Sequence, residues 1–341
     1  MRAMLLHGFG KDLVMEEVEE PTVGEDEALV KMQAAGVCAT DLKVISGSGP
    51  TPRFWPHILG HENAGLVVKV GEKVKQWKEG DRVTMYHRIT CGTCVNCRAG
   101  KENLCLRPQG ELGLTLPGGF AEYVSAPARN LVKLPDHIPF NQGSIVPGAT
   151  AAAFHGIRLA GNLVGQTVVL IGVGGLGLGA LQIIKGMGAR VIAVDIISGN
   201  LGVAKILGAD DILNAAECDV VSEVKRLTGD VGADAVFEFS GSPKVLQTTL
   251  RSVKLGGKVV VVGYSYKDQQ VQSADFTNTH VTVLGSRSYT YLDLLNTVRL
   301  IGRGIVKPIV AATYPLQDAN NVLGVIAKGA IPGRAVLDLT M

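Results

Sequence analysis

The 341-residue chain has only six cysteines and no excess of either charge, with 33 Lys and Arg against 31 Asp and Glu for a net +2. A field that weak does not draw a phosphate backbone, so nucleic acid is excluded as the expected partner. The opening Met-Arg-Ala-Met-Leu-Leu-His runs into Lys11, Asp12 and Glu16 without the apolar core of a leader peptide, which predicts a cytoplasmic chain. In a reducing compartment, cysteines that gather together are metal ligands rather than disulfides. One stretch, Leu159 to Ile184, lacks charge altogether and would attract a membrane-span reading. Gly161, Gly165, Gly172, Gly174, Gly175, Gly177 and Gly179 interrupt it, and its first half is β-branched where its second half is helical in period. That pattern predicts strand, turn and helix, and no membrane partner.

What is present points to a globular protein. Hydrophobic residues make up 46% and charged residues 19%, far from the composition of disordered chains. At roughly 100 to 200 residues per domain the length suits about two domains. The 43 glycines, about 13% where roughly 7% is usual, are the largest compositional excess.

From Gln166 to Leu284 short apolar runs alternate with helical stretches, the pattern of an α/β fold with a parallel sheet. Six strands are predicted: Thr167 to Ile171, Arg190 to Asp195, Asp211 to Leu213, Ala233 to Phe239, Lys258 to Val262 and Val281 to Leu284. Helices are predicted at Leu176 to Met187, Asn200 to Leu207, Val220 to Leu227 and Pro243 to Val253, the last with Pro243 in its first turn. Six such strands complete a doubly wound sheet. The first 148 residues read as mostly β, with strands such as Ala28 to Gly36, Gly65 to Val70 and Phe120 to Ser125. The C-terminal part, with helices Tyr291 to Ile301 and Gln317 to Lys328 and a strand Arg334 to Leu339, is assigned back to that first domain. The expected boundaries are 1–148, 149–287 for the inserted dinucleotide fold, and 288–341 for the return.

Gly172-Val173-Gly174-Gly175-Leu176-Gly177 is a GxGxxG directly after a strand and at the start of a helix. Gly172 serves the tight turn, Gly174 lets the backbone approach a pyrophosphate, and Gly177 allows close packing of helix on strand. Asp195 ends the next strand, where a carboxylate accepts hydrogen bonds from an adenosine ribose and repels a 2′-phosphate. No Lys or Arg follows it before Lys205, so NAD is expected over NADP.

Cys91, Cys94, Cys97 and Cys105 form C-x2-C-x2-C-x7-C. Four thiolates close a tetrahedral zinc shell with no open position, a structural site. The bacterial iron-sulfur run continues with x3-C-P, whereas here the last gap is seven and Leu106 follows. Away from that lobe, Cys38 begins Cys-Ala-Thr-Asp, and Gly60-His61-Glu62 follows. Thiolate, imidazole and carboxylate are all zinc ligands, and three of them leave a position open for water or substrate. Taken singly, Cys38 and His61 read as core residues.

Together, Cys38-Ala39-Thr40-Asp41, Gly60-His61-Glu62, Gly80-Asp81-Arg82-Val83, the four-cysteine lobe, Gly119-Phe120-Ala121-Glu122-Tyr123, the fingerprint with Asp195, and Gly333-Arg334-Ala335-Val336-Leu337 resemble the zinc-containing medium-chain alcohol dehydrogenases from end to end. This family includes alcohol, polyol and threonine dehydrogenases. The resemblance implies a GroES-like catalytic domain with an inserted Rossmann domain, a catalytic zinc in the cleft between them, NAD, and a homodimer or homotetramer. With the lobe, that makes two zinc ions per chain. It implies that Cys38 and His61 are catalytic ligands, that Asp41 holds the ligand histidine, that Thr40 passes the proton of the substrate alcohol, and that Arg334 lies near the cofactor pyrophosphate.

Two departures stand out. Val146-Pro147-Gly148 offers no side chain where relatives carry a third ligand, Cys or Asp. Polyol-type members use an adjacent Glu and a water, which makes Glu62 the expected third ligand; the other reading places it outside the coordination shell. Lys43 stands where many relatives have a histidine that ends the proton relay, and relay and cofactor contact are both open to it. The expected reaction is reversible hydride transfer between a primary, secondary or cyclic alcohol and NAD. The alternatives are a polyol or threonine-type dehydrogenase, or an NAD-binding protein with a weakened catalytic metal site. Thr40, Trp55, His57 and Leu116 are candidate pocket residues, Phe54 and Trp55 favouring an apolar alcohol. His7, His87, His137, His155, His280 and Cys218 read as structural or surface residues.

Overall fold

A computed structural model covers the chain and describes every residue except Lys244, Tyr266 and Ala330. The chain divides into two compact units: Met1–Gly148 with Thr290–Arg303 and Pro308–Met341, and Ala149–Tyr289 with Gly304–Lys307.

The first unit is built on a seven-stranded sheet whose centre is Glu27–Val37, the longest strand. Glu62–Val70 pairs antiparallel on one side of it and Arg334–Asp338 on the other. The register is what assembles a site. Gly36 lies opposite Glu62 and Val37 opposite Ala335, so the ends of three adjacent strands bring Cys38, Glu62 and Arg334 to one place. Small residues make this possible: Ala34 packs with Ile145 and Val336, and Ala35 and Gly36 are likewise buried. The strand expected from Gly65 in fact begins at Glu62. Phe120 and its neighbours precede the next strand, which is Tyr123–Pro127. The short helix Ala39–Ile45, which periodicity did not predict, follows directly from the central strand.

The second unit is a six-stranded parallel sheet, in spatial order Asp211–Asn214, Arg190–Asp195, Thr167–Ile171, Ala233–Glu238, Val253–Val261, Thr282–Gly285. This is the doubly wound order, and the direction of winding reverses between Thr167–Ile171 and Ala233–Glu238. Val169, Val194, Val236, Val259 and their neighbours are buried on one side of the sheet, where Val224 and Leu250 of the covering helices meet them. Two expectations shift. The helix expected over Pro243 to Val253 runs only over Leu246–Ser252, without Pro243, and Lys244 lies outside the described residues. Val253 begins the next strand because it pairs with Ala233, with a bulge between Ala233 and Ala235. The charge-free stretch resolves into the end of helix Ala152–Ala160, the strand Thr167–Ile171 and helix Gly175–Gly186. Among the described residues, no helix is long and apolar enough to cross a membrane.

Candidate metal centre and cofactor crevice

Helix Ala39–Ile45 starts on Cys38, whose sulfur accepts from the Thr40 backbone N–H at 3.5 Å while its own N–H donates to Asp41 Oδ2 at 2.8 Å. This reciprocal cap satisfies helix-end donors and aims the thiol and the carboxylate together. Asp41 Oδ1 then takes the Nδ1–H of His61 at 3.2 Å. The carboxylate fixes the tautomer and leaves Nε2 as the metal-facing nitrogen. Thr40 Oγ1 lies 3.6 Å from Cys38 Sγ. Lys43 sits one turn further along the same helix, half-buried, and burial lowers its pKa.

Ligand atoms of Cys38, His61 and Glu62 lie within 4.8 Å of one another, and all three residues are buried. Glu62 is wholly enclosed, and among the described residues neither carboxylate oxygen has a hydrogen-bond partner. Arg334 stands beside it as a counter-charge, with Nη2 3.0 Å from Oε1. Burial pushes Glu62 up to about 7 although Arg334 pulls against it. Burial also raises the Cys38 thiol, but the Arg334 guanidinium and His61 outweigh it and bring the thiol down to about 6. A carboxylate buried without hydrogen bonds is costly, and a cation coordinated at its oxygens removes that cost. The donor set of sulfur, nitrogen and oxygen suits zinc.

Arg334, implied by resemblance to lie near a pyrophosphate, is 8% exposed and set against Glu62. His87, set aside in the sequence, is buried with its ring edge-on to His61 at 5.7 Å. Burial lowers its pKa. His57 is buried in the strand His57–Ile58, which pairs with Arg2–Leu6. Leu116 packs into the core around Leu112 and Ile89. Phe54 is exposed, and Trp55, itself partly exposed, packs edge-on against Phe9.

In the second metal set, the four sulfurs of Cys91, Cys94, Cys97 and Cys105 stand at separations of 3.4, 3.5, 3.9 and 4.0 Å. Four ligands at ~2.3 Å around one zinc stand ~3.8 Å apart, far beyond the ~2.05 Å of a disulfide. Backbone N–H groups of Cys94 and Cys91 donate to Cys91 and Cys105 sulfur at 3.3 and 3.4 Å, as thiolates require.

In doubly wound sheets ligands bind where the winding reverses, and here the glycine-rich turn lies at that point. Gly172 has φ +88°, and a side chain there would meet the backbone N of Ser240 at 2.8 Å. A Cβ at Gly177 would strike the carbonyl of Gly172, whereas Gly174 has open space, the room a phosphate needs. Gly175 and Leu176 open the helix Gly175–Gly186 that presents its N-terminus. Asp195 accepts from the N–H of Val173 and of Ile197, both at 2.9 Å, and from Asn200 Nδ2 at 3.1 Å. Its remaining lone pairs are available to a ribose hydroxyl.

Two family models match the chain: "Alcohol dehydrogenase GroES-like domain" over residues 24–136 and "Zinc-binding dehydrogenase" over residues 175–303. An alcohol dehydrogenase of Geobacillus stearothermophilus is 38% identical over 340 residues, 99% of both chains. An NAD-dependent alcohol dehydrogenase of Sulfurisphaera tokodaii is 34% identical over 346 aligned positions, 99% of both. The crystal structure of an alcohol dehydrogenase from Aeropyrum pernix matches with a TM-score of 0.92 at 33% identity, over 99% of this chain and 100% of that one.

Proposed function

Because the chain belongs to the zinc-containing medium-chain alcohol dehydrogenase family, we propose that it transfers hydride reversibly between a small alcohol and NAD, giving the aldehyde or ketone. One observation carries the reading: the converged Cys38, His61 and Glu62, with both Glu62 oxygens buried and without a hydrogen bond among the described residues. Zinc, when bound there, supplies the Lewis acidity that makes an alcohol hydroxyl easier to deprotonate, and NAD supplies the hydride acceptor. Cys38, His61 and Glu62 would hold the metal, while Asp41 keeps His61 in the ligating tautomer. The Thr40 hydroxyl would relay the alcohol proton, accepting it while giving up its own toward solvent. Lys43, whose pKa burial lowers, is the next titratable side chain along the helix. Gly172 to Gly177 would receive the pyrophosphate and Asp195 the adenosine ribose.

We further infer two zinc ions per chain, the second on the four-cysteine lobe, together with a homodimer or homotetramer and a cytoplasmic location. A polyol or threonine-type alcohol is the second reading. A Glu62 carboxylate without hydrogen bonds among the described residues supports it, since polyol-type members use the adjacent Glu. The test is Cys38→Ser. NADH formation across a panel of alcohols should fall at least about a hundredfold, with zinc dropping from about two to about one per chain. Full turnover and full zinc in that variant would overturn the assignment, and a wild-type chain with about one zinc would favour an NAD-binding protein with a degraded site.

A further inference from the structure

Glu238 ends the strand Ala233–Glu238 at the point where the sheet reverses, and only 3% of it is exposed. A buried carboxylate is costly unless it is well bonded. Here Oε1 accepts from the Ser240 N–H at 2.7 Å, the Ser240 hydroxyl at 2.5 Å and the Gly241 N–H at 2.9 Å, and the Ser240 hydroxyl in turn accepts from the Ser242 N–H at 3.1 Å. The whole Ser240–Ser242 loop therefore hangs from one oxygen. That loop meets the glycine-rich turn backbone to backbone: a Cβ on Gly172 would stand 2.8 Å from Ser240 N. On its other side, a Cβ on Gly263 would stand 2.2 Å from Gly241 N and 2.8 Å from Glu238 Oε2. Three loops at the carboxyl ends of the strands are thus fitted against one another around this side chain.

We propose that Glu238 is a positioning residue for the dinucleotide, holding the Ser240–Ser242 loop as the wall of the crevice that faces the Gly172 to Gly177 turn. Ligands of doubly wound sheets bind outside the carboxyl ends of the strands at the reversal. A loop fixed there before the cofactor arrives costs less to order on binding than a loose one. The proposal rests on NAD being the cofactor, as argued above.

The test is NADH binding by fluorescence titration of the zinc-loaded enzyme, alongside steady-state kinetics. In Glu238→Ala the NADH Kd and the KM for NAD should rise about tenfold or more. The alcohol KM, the kcat at saturating NAD and the zinc content should stay within about threefold of wild type. Glu238→Gln keeps an acceptor oxygen and should restore NADH binding to within about threefold. Gly241→Ala should reproduce the weakening without touching Glu238, because Gly241 has φ +64° and a Cβ there would press on the Tyr264 backbone at 2.9 Å. Wild-type NADH affinity in Glu238→Ala overturns the proposal, as does a loss that Glu238→Gln fails to restore. If Glu238→Ala does not fold, Gly241→Ala decides in the same way. A wild-type enzyme that binds no NADH overturns the cofactor assignment itself, whereas a binding wild type with unaffected variants overturns only the role of Glu238.

Discussion

Gly148 gives up its side chain to Glu62: a Cβ at position 148 would lie 1.9 Å from Glu62 Oε1. Gly36, opposite Glu62 in the sheet, does the same from the other side, where a Cβ would lie 2.3 Å from Oε2. The two glycines form the cradle of the carboxylate. The absence of a ligand in Val146-Pro147-Gly148 and the presence of Glu62 at the centre are therefore one arrangement, since a side chain at 148 and the observed Glu62 rotamer exclude each other.

Gly148→Ala should accordingly cost about 1–3 kcal/mol by overpacking, because the carboxylate is enclosed and has nowhere to move. Urea melts of the variant would show this, and its zinc content should fall from about two per chain toward one if Glu62 is a ligand.

Arg334 is the counter-charge that makes a wholly buried Glu62 tolerable. Replacing it with Leu leaves an uncompensated carboxylate, for an expected loss of about 3–5 kcal/mol in the metal-free protein. Adding Glu62→Gln should recover much of that loss, which a double-mutant cycle on denaturant melts would measure.

The pH dependence follows from Cys38. Against burial, Arg334 and His61 bring its thiol down to about 6 in the folded chain, whereas an unfolded thiol sits near ~8.5. Between those values the unfolded state binds the extra proton, so stability rises with pH. The contribution is fully present above ~8.5 and is lost as the pH falls through about 6. Glu62, raised to about 7 by burial, acts with the opposite sign and loses its contribution as the pH rises toward that value. The stability of the metal-free wild type minus that of Cys38→Ser should grow from about pH 6 to ~8.5.

Asp195 joins cofactor choice to the shape of the glycine-rich turn, through its bond from the Val173 N–H at 2.9 Å. Asp195→Gly should raise the KM for NAD about tenfold or more and remove most of the discrimination against NADP. Initial rates with the two cofactors would check this, and an unchanged ratio would place the ribose elsewhere.

The four-cysteine cluster and the glycine-rich turn were legible in the sequence because their residues are neighbours in the chain. Spacings of a few residues around Cys91 to Cys105 and Gly172 to Gly177, next to a strand or a helix start, already confine those groups to one small volume. The six-strand order could be anticipated as well, since alternating apolar runs have few ways to cover a parallel sheet. The helix placed at Pro243 was misjudged because local propensity yields to sheet pairing, here of Val253 with Ala233. What only the tertiary structure decided is the setting of Glu62. The register that puts Gly36 beside it, the approach of Gly148, and the return of Arg334 from the end of the chain are long-range. Close packing and the cost of burying charge select them, and neither force leaves a spacing to read in the sequence.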